Sequence, residues 1–327
     1  MEILKKLVNA YGPSGREDII RELIKDEVTP YVDEVYTDAL GNLIAHKKGS
    51  GKKIMLAAHM DEIGICVTYI EDNGFLRFCA VGGLYEKDLN ARKVIFKNGI
   101  VGVIGIDEDN KDKKITKMFI DIGTKSGEET EKIISIGDIA VFCGDFVQQN
   151  DILISKAMDN RAGCYVLIES IKNIKSQNDL YFVFTVQEEV GLRGAKTSAF
   201  GIMPDYAIAV DVTDVGDTPE NIKIDTKLGG GACIKVMDKS VLCDSYVRSL
   251  LIELAKSNKI DYQLEVLTVG GTDAGAISLT GAGVRTGGIS IPTRYIHSPS
   301  EMISTKDLQD CINLLTVFMN YKFDSYF

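Results

Sequence analysis

The sequence predicts an α/β protein: a mostly parallel mixed sheet flanked by helices, carrying a small inserted all-β domain. Three observations support this. First, three apolar runs rich in Val, Ile and Phe read as strands buried on both faces, the signature of a parallel sheet covered by helices. They are Met55 to Ala58 ending at His59-Met60-Asp61, Tyr181 to Val186 ending at Gln187-Glu188-Glu189, and Ala207 to Val210 ending at Asp211. Second, from about residue 65 to 155 the texture changes to short β-rich pieces separated by Asn-Gly and Gly-Gly turns, as in a small barrel or sandwich. Third, beyond that segment apolar strands alternate again with helical stretches at 163–173, 245–258 and 305–321.

In chain order, Ser14-Gly15-Arg16-Glu17 has capping-box spacing and opens an amphipathic helix with Ile19, Ile20, Leu23, Ile24 and Val28 on its apolar side. Val35 to Thr37 and Leu43 to Ala45 flank a turn at Asp38 to Asn42 and predict a hairpin leading into the strand that ends at His59. Residues 66–157 form the expected inserted domain, and 1–65 with 158–327 the α/β domain. At 327 residues, 45% hydrophobic and 26% charged, the chain is long enough for two compact units. A formal charge of -10 argues against a general nucleic-acid or anionic-membrane binder, since both need a basic face. Seven scattered cysteines without a C-x-x-C pair read as reduced thiols, and the expected location is the cytoplasm. No apolar stretch reaches membrane-span length.

Ligands of open α/β sheets bind beyond the C-terminal ends of the strands, so the residues closing the three runs converge in one crevice. Two neighbouring divalent ions need imidazole and carboxylate donors, with one carboxylate shared. His59, Asp159, Glu189, Asp211 and His297 supply that set, and two of the chain's three histidines are in it. Glu188 is then left as a general base, and Asp61 can accept the second N–H of the His59 imidazole and set its tautomer. These two form the expected catalytic pair. His46, beside two lysines, reads as a solvated surface residue. Gly229 to Gly231 and Gly270-Gly271 read either as pocket walls or as turns needing positive φ. Arg294, Gly271 and Thr272 are candidate substrate contacts, with an ion pair the alternative for Arg294.

The order His-x-Asp (59–61), Asp-Asn-Arg (159–161), Glu-Glu-x-Gly (188–191), Asp211 and Arg-Tyr-x-His-Ser-Pro (294–299) resembles the co-catalytic metallo-aminopeptidases of peptidase family 42. That family includes glutamyl, leucyl and lysyl tetrahedral aminopeptidases. The resemblance extends to Ser14 to Glu17, Thr37-Asp38 with Gly41-Asn42, Phe119 to Gly123, Leu228 to Gly231 and Gly270 to Ala274. It implies two divalent ions, of zinc, cobalt or manganese, with Asp159 bridging, His59 and Asp211 on separate ions, and Glu189 and His297 completing the shells. The bridging motif often has Asp in its second position, where Asn160 stands here, which affects only hydrogen bonding around the ligand. It further implies a PDZ-like inserted domain that drives dimerisation, and dimers that build tetrahedral dodecamers acting on short peptides. The insert lies between His59 and Asp159, whereas related carboxypeptidases and deacylases carry theirs between later ligands. A deacylase or carboxypeptidase is therefore the nearest alternative. An endoglucanase, a label some relatives bear, is disfavoured because the chain has no Trp to stack on sugar rings.

Overall fold

The computed structural model describes residues 1–107, 113–219 and 223–323. Its centre is an 11-stranded mixed sheet. The core strands Asp179–Thr185, Lys53–His59, Tyr206–Asp214 and Arg285–Arg294 lie side by side and parallel. The hairpin Glu34–Thr37 and Leu43–Lys47 closes one edge by antiparallel pairing with Asp179–Thr185. Successive side chains of a strand point to opposite faces, and here both faces are covered. Leu56, Phe182, Ile208 and Ile289 pack under one helical layer with residues of helices Glu2–Asn9, Asp18–Val28, Met158–Ile171, Ser245–Ser257 and Thr305–Met319. Met55, Ala57, Val183 and Ala207 face the other way, against Ala195, Ala199 and Ile277 of the short helices Arg193–Ile202 and Asp273–Ser278. The apolar runs are continuous because neither face of these strands meets water.

The β-rich segment forms a closed six-stranded antiparallel barrel of Gly64–Ile70, Leu76–Val81, Met118–Asp121, Val101–Ile106, Lys93–Phe96 and Ile139–Phe142. Alternate residues, among them Ile65, Val67, Val94, Phe96 and Ile120, fill its interior. The barrel and the expected 66–157 segment differ at the distal end. Val147–Gln149 and Ile152–Ser155 belong to the large sheet, because Ile152–Ser155 pairs antiparallel with Glu301–Ser304. The last barrel strand ends at Phe142, so residues 147–157 stand on the α/β side of the boundary.

Two local expectations are corrected, and the open reading of the 229–231 loop falls to the positive-φ turn. The capping box does not form: the Ser14 hydroxyl donates to Asp61 Oδ2 at 2.6 Å, and Glu17 Oε1 accepts from the backbone N–H groups of Gly15 and Gln187. His46 is buried, its Nε2 2.7 Å from Asp179 Oδ1 and its ring stacked on Tyr181 at 4.0 Å. Gly229 and Gly231, both at positive φ, donate their N–H groups to the Asp307 carboxylate, so this loop secures a helix start and walls no pocket with the candidate ligands. Among the described residues no helix is long and apolar enough to cross a membrane. All seven cysteines are free.

Candidate metal centre

Strand register brings the candidate ligands together. His59 is level with Thr185 on one neighbouring strand, and Ala57 is level with Ala209 on the other. Two residues further along, Asp211 reaches the level of His59. Asp159 lies in a non-helical kink near the start of the segment Met158–Ile171, whose helix packs beside these strands, and its peptide bond to Asn160 is cis. After Thr185 the chain leaves the sheet: Gln187 adopts a left-handed φ of 55°, and the backbone N–H groups of Glu188 and Glu189 both donate to the Asp61 carboxylate, at 3.0 and 3.2 Å. That turn lets two adjacent carboxylates face one site, which an extended strand forbids. His297, at a φ of 61°, follows the strand Arg285–Arg294.

Asp159 presents one oxygen to each imidazole, with Oδ1 3.1 Å from His59 Nε2 and Oδ2 3.3 Å from His297 Nε2. Asp211 Oδ1 is 3.6 Å from His59 Nε2, and Glu189 Oε2 is 3.3 Å from His297 Nε2. Donors bound to zinc at about 2.0–2.1 Å in a tetrahedron stand about 3.4 Å apart, so these spacings fit a shared cation on each side. Glu189 Oε1 is buried without a hydrogen-bond partner among the described residues, a costly arrangement that a cation would satisfy. One feature of the resemblance is corrected. His59 and Asp211 lie on adjacent strands at the same level, within reach of one ion rather than two, while Glu189 and His297 form the second pair. Glu188 Oε2 is 3.9 Å from His59 Nε2, and with His59 and Asp211 it forms a group whose donor atoms lie within 4.8 Å of one another.

The electrostatics favour positive charge. Four carboxylates, Asp159, Glu188, Glu189 and Asp211, face two imidazoles at the floor of one cavity. Burial works against the charged form of His297, but Glu189 and Asp159 outweigh it and push the imidazole up to about 12. Burial and the neighbouring carboxylates Asp211 and Glu189 drive Glu188 well above the usual carboxylate range, against the pull of His59. Burial likewise opposes ionisation of Asp159, yet the two imidazoles hold its carboxyl below the ordinary value.

Other groups position these side chains. Asp61 is fully buried behind the cluster and does not line the cavity; contrary to expectation its main-chain carbonyl, at 3.2 Å, lies nearer His59 Nδ1 than its carboxylate Oδ1, at 3.5 Å, and it is a positioning residue. Glu301, unremarked in the sequence, accepts from the backbone N–H of Asp159 at 2.9 Å and of His297 at 2.8 Å. Only its place four residues after His297 hinted at this. Asn160 donates from Nδ2 to the Val210 carbonyl and accepts from the Gly163 N–H at Oδ1, so the amide does what a carboxylate could do only if protonated. Gly271 and Thr272 line the same cavity of about 430 Å³ as the cluster, but the Thr272 hydroxyl is committed to Asp238. Arg294 is held by a two-pronged ion pair with Asp217 at 2.9 and 2.7 Å.

Fold and donor set together define the class, an α/β protein with a candidate divalent-metal site at the sheet's C-terminal edge. The M42 glutamyl aminopeptidase family model matches residues 41–314, and the chain belongs to the M42 family of aminopeptidases, hydrolases acting on peptides. A putative aminopeptidase of Acetivibrio thermocellus is 56% identical over 318 residues, 96% of each chain. The lysyl aminopeptidase of Pyrococcus furiosus is 37% identical over 330 residues, covering 96% of this chain and 94% of its own. Among solved structures, an aminopeptidase from the archaeon Desulfurococcus kamchatkensis matches with a TM-score of 0.94 at 41% identity, over 98% of this chain and 94% of the other. A Pyrococcus horikoshii TET1 peptidase, described as assembling into a tetrahedron or a large octahedral shell, matches with a TM-score of 0.88 at 35% identity over 98% and 99% of the two chains.

Proposed function

We propose that this protein is a dinuclear metallo-aminopeptidase that removes N-terminal residues from short peptides. The observation that carries the reading is Asp159 spanning two imidazoles, each with a further carboxylate beside it. His59 and Asp211 would hold one ion, Glu189 and His297 the other, and Asp159 both. Zinc, cobalt and manganese all suit this donor set. Bound ions of this kind supply Lewis acidity at the scissile carbonyl and lower the pKa of water to about 7. Glu188, which is no ligand in this scheme, takes a proton from the attacking water and returns it to the departing amine. Asp61 keeps the Glu188–Glu189 turn and the His59 ring in place, and Glu301 does the same for Asp159 and His297. Gly271 and Thr272 wall the space for the N-terminal residue.

The α/β domain carries all the chemistry in this reading, and the barrel serves dimerisation, with dimers building a tetrahedral dodecamer in the cytoplasm. The shell-forming neighbour and the seven free thiols support it. Chelation should abolish hydrolysis of aminoacyl p-nitroanilides, and zinc, cobalt or manganese should restore it. Alanine at His59, Asp159, Glu189, Asp211 or His297 should lower metal content as well as rate, and acetylating the substrate's amino terminus should stop turnover. Full activity of the metal-free protein would overturn the reading, and a strictly monomeric protein in light scattering would overturn its assembly half.

A further inference from the structure

A second cavity, of about 540 Å³, opens beside the one that holds the candidate ligands. Tyr85, Asp214, Ile296 and His297 are common to both linings and form the wall between them. The second cavity lies at the seam of the two folding units. One side is the barrel loop between Leu76–Val81 and Lys93–Phe96, the other the segment after the strand Arg285–Arg294. Its volume is that of a ligand site, and sites of this kind favour such seams.

The charge along it is uneven. Its inner end carries Asp214 and adjoins the four carboxylates of the candidate centre. On the barrel side stand Lys87 and Arg92. Arg294 also lines the cavity, but Asp217 neutralises it. Arg92 gives Nε to the Asp88 carbonyl at 3.0 Å, and among the described residues no ion pair is recorded for Arg92 or Lys87. The Asp88 carboxylate beside them offsets one of the two charges. The cavity therefore runs from an acidic inner wall to a net basic outer side.

From this we infer that the second cavity receives the leaving part of the substrate and that Lys87 and Arg92 recognise a carboxylate on it. The inference rests on the proposed peptidase reading, which sets the scissile bond at Asp159 and His297. A bond cleaved there has two flanks. The N-terminal residue occupies the cavity walled by Lys235, Gly271 and Thr272, and the downstream residues cross His297 and Tyr85 into the second. A carboxylate beside Asp214 is repelled, whereas one carried outward meets the guanidinium and ammonium groups. The same chemistry is offered by the peptide's C-terminal carboxylate and by an Asp or Glu side chain after the cleaved bond.

The test uses the metal-loaded full-length protein and the N-terminal residue that an anilide panel favours, here X. One arm compares X-Ala-Ala with its C-terminal amide; the other compares the amides of X-Glu-Ala and X-Gln-Ala. The carboxylate-bearing peptide should be preferred in kcat/KM by about fivefold, the effect of a partly exposed ion pair, in at least one arm, which identifies the source. The preference should shrink with salt and fall towards one in a Lys87→Gln/Arg92→Gln double variant. Because each value is a ratio within one preparation, partial unfolding of a variant cancels. Ratios near one in both arms, or a preference that the double variant retains, overturn the inference. Failure of the peptidase reading looks different: metal-loaded wild type would hydrolyse no aminoacyl anilide.

Discussion

Asp61→Asn isolates a group that touches neither substrate nor ligand atoms and yet organises both carboxylates of the Glu188–Glu189 turn. Its Oδ1 accepts from the Glu188 N–H at 3.0 Å, and its Oδ2 accepts from the Ser14 hydroxyl at 2.6 Å and the Glu189 N–H at 3.2 Å. Asparagine keeps the size but turns one oxygen into a donor. The Ser14 hydroxyl can rotate and accept from the new amide, but a backbone N–H cannot. With the carbonyl facing Glu188, the Glu189 N–H is left unpaired, and flipping the amide reverses the loss. A buried donor without an acceptor costs about 1–3 kcal/mol, so the unfolding free energy should fall by about that amount. The turn relieves the clash by rotating one peptide, which moves Glu188 or Glu189, while the His59 ring keeps its contact with the Asp61 main-chain carbonyl at 3.2 Å. Disturbing a partner of a metal ligand typically costs about 10–100-fold in metal affinity or activity. Urea unfolding in chelator measures the first effect free of metal, and calorimetric zinc titration measures the second. A variant that unfolds within about 0.5 kcal/mol of wild type and binds zinc equally well would refute the positioning role, since surface-like neutrality is excluded for a buried three-donor acceptor.

Glu188→Gln should lower kcat by about 10²-fold or more while metal analysis still finds both ions, because the variant keeps the shape but cannot take the proton; loss of an ion instead would exchange the roles of Glu188 and Glu189. Glu62→Ala removes the buried partner of Lys156, at 2.6 Å, and of Arg161, at 3.5 Å, and should destabilise the fold by about 3–5 kcal/mol in urea, unpaired buried charge being the cost. Burial, reinforced by Asp61, raises Glu17 from 4.5 to about 7. Between those values the folded state holds the proton more tightly than the unfolded one, so Glu17 favours folding at low pH and stability declines as pH rises through that window. Glu17→Gln should flatten the decline by up to about 3 kcal/mol between pH 4.5 and 8, read from urea midpoints at each pH; an unaltered pH profile contradicts the assignment.

Much of the fold was legible because its signals are local. A strand covered on both faces must be apolar throughout, so Met55 to Ala58, Phe182 to Phe184 and Ala207 to Val210 announced themselves, and the polar residues that follow them fell at one sheet edge. Barrel strands such as Lys93–Phe96 and Val101–Ile106 alternate in burial along their length, though Ile139–Phe142 is apolar throughout. What escaped depends on partners far along the chain. Ile152–Ser155 looks like one more short strand after the barrel, and only its pairing with Glu301–Ser304 moves it to the large sheet. Ser14 and Glu17 have capping spacing, yet Asp61 and the Gln187 N–H, both distant in sequence, claim them more strongly. His46 beside lysines reads as exposed until Tyr181 and Asp179 arrive from the neighbouring strand.

The pairing of the candidate ligands shows the same limit at the site. Placement after apolar runs and in the shared motifs, together with residue type, selects His59, Asp159, Glu189, Asp211 and His297, which include two of the chain's three histidines. Which of them share an ion is a question of strand order. Lys53–His59 lies between Asp179–Thr185 and Tyr206–Asp214, so His59 has Asp211 on one flank and the Glu188–Glu189 turn on the other. Asp159 enters from the kink before the helix above the sheet and must span whatever gap those strands leave. Glu301 completes the argument: by accepting from the backbone of both Asp159 and His297, one buried carboxylate ties the bridging ligand to the loop that brings the second imidazole. The two proposed ion positions would therefore be coupled through the backbone as well as through Asp159, and a change at either end of that link should be felt at both.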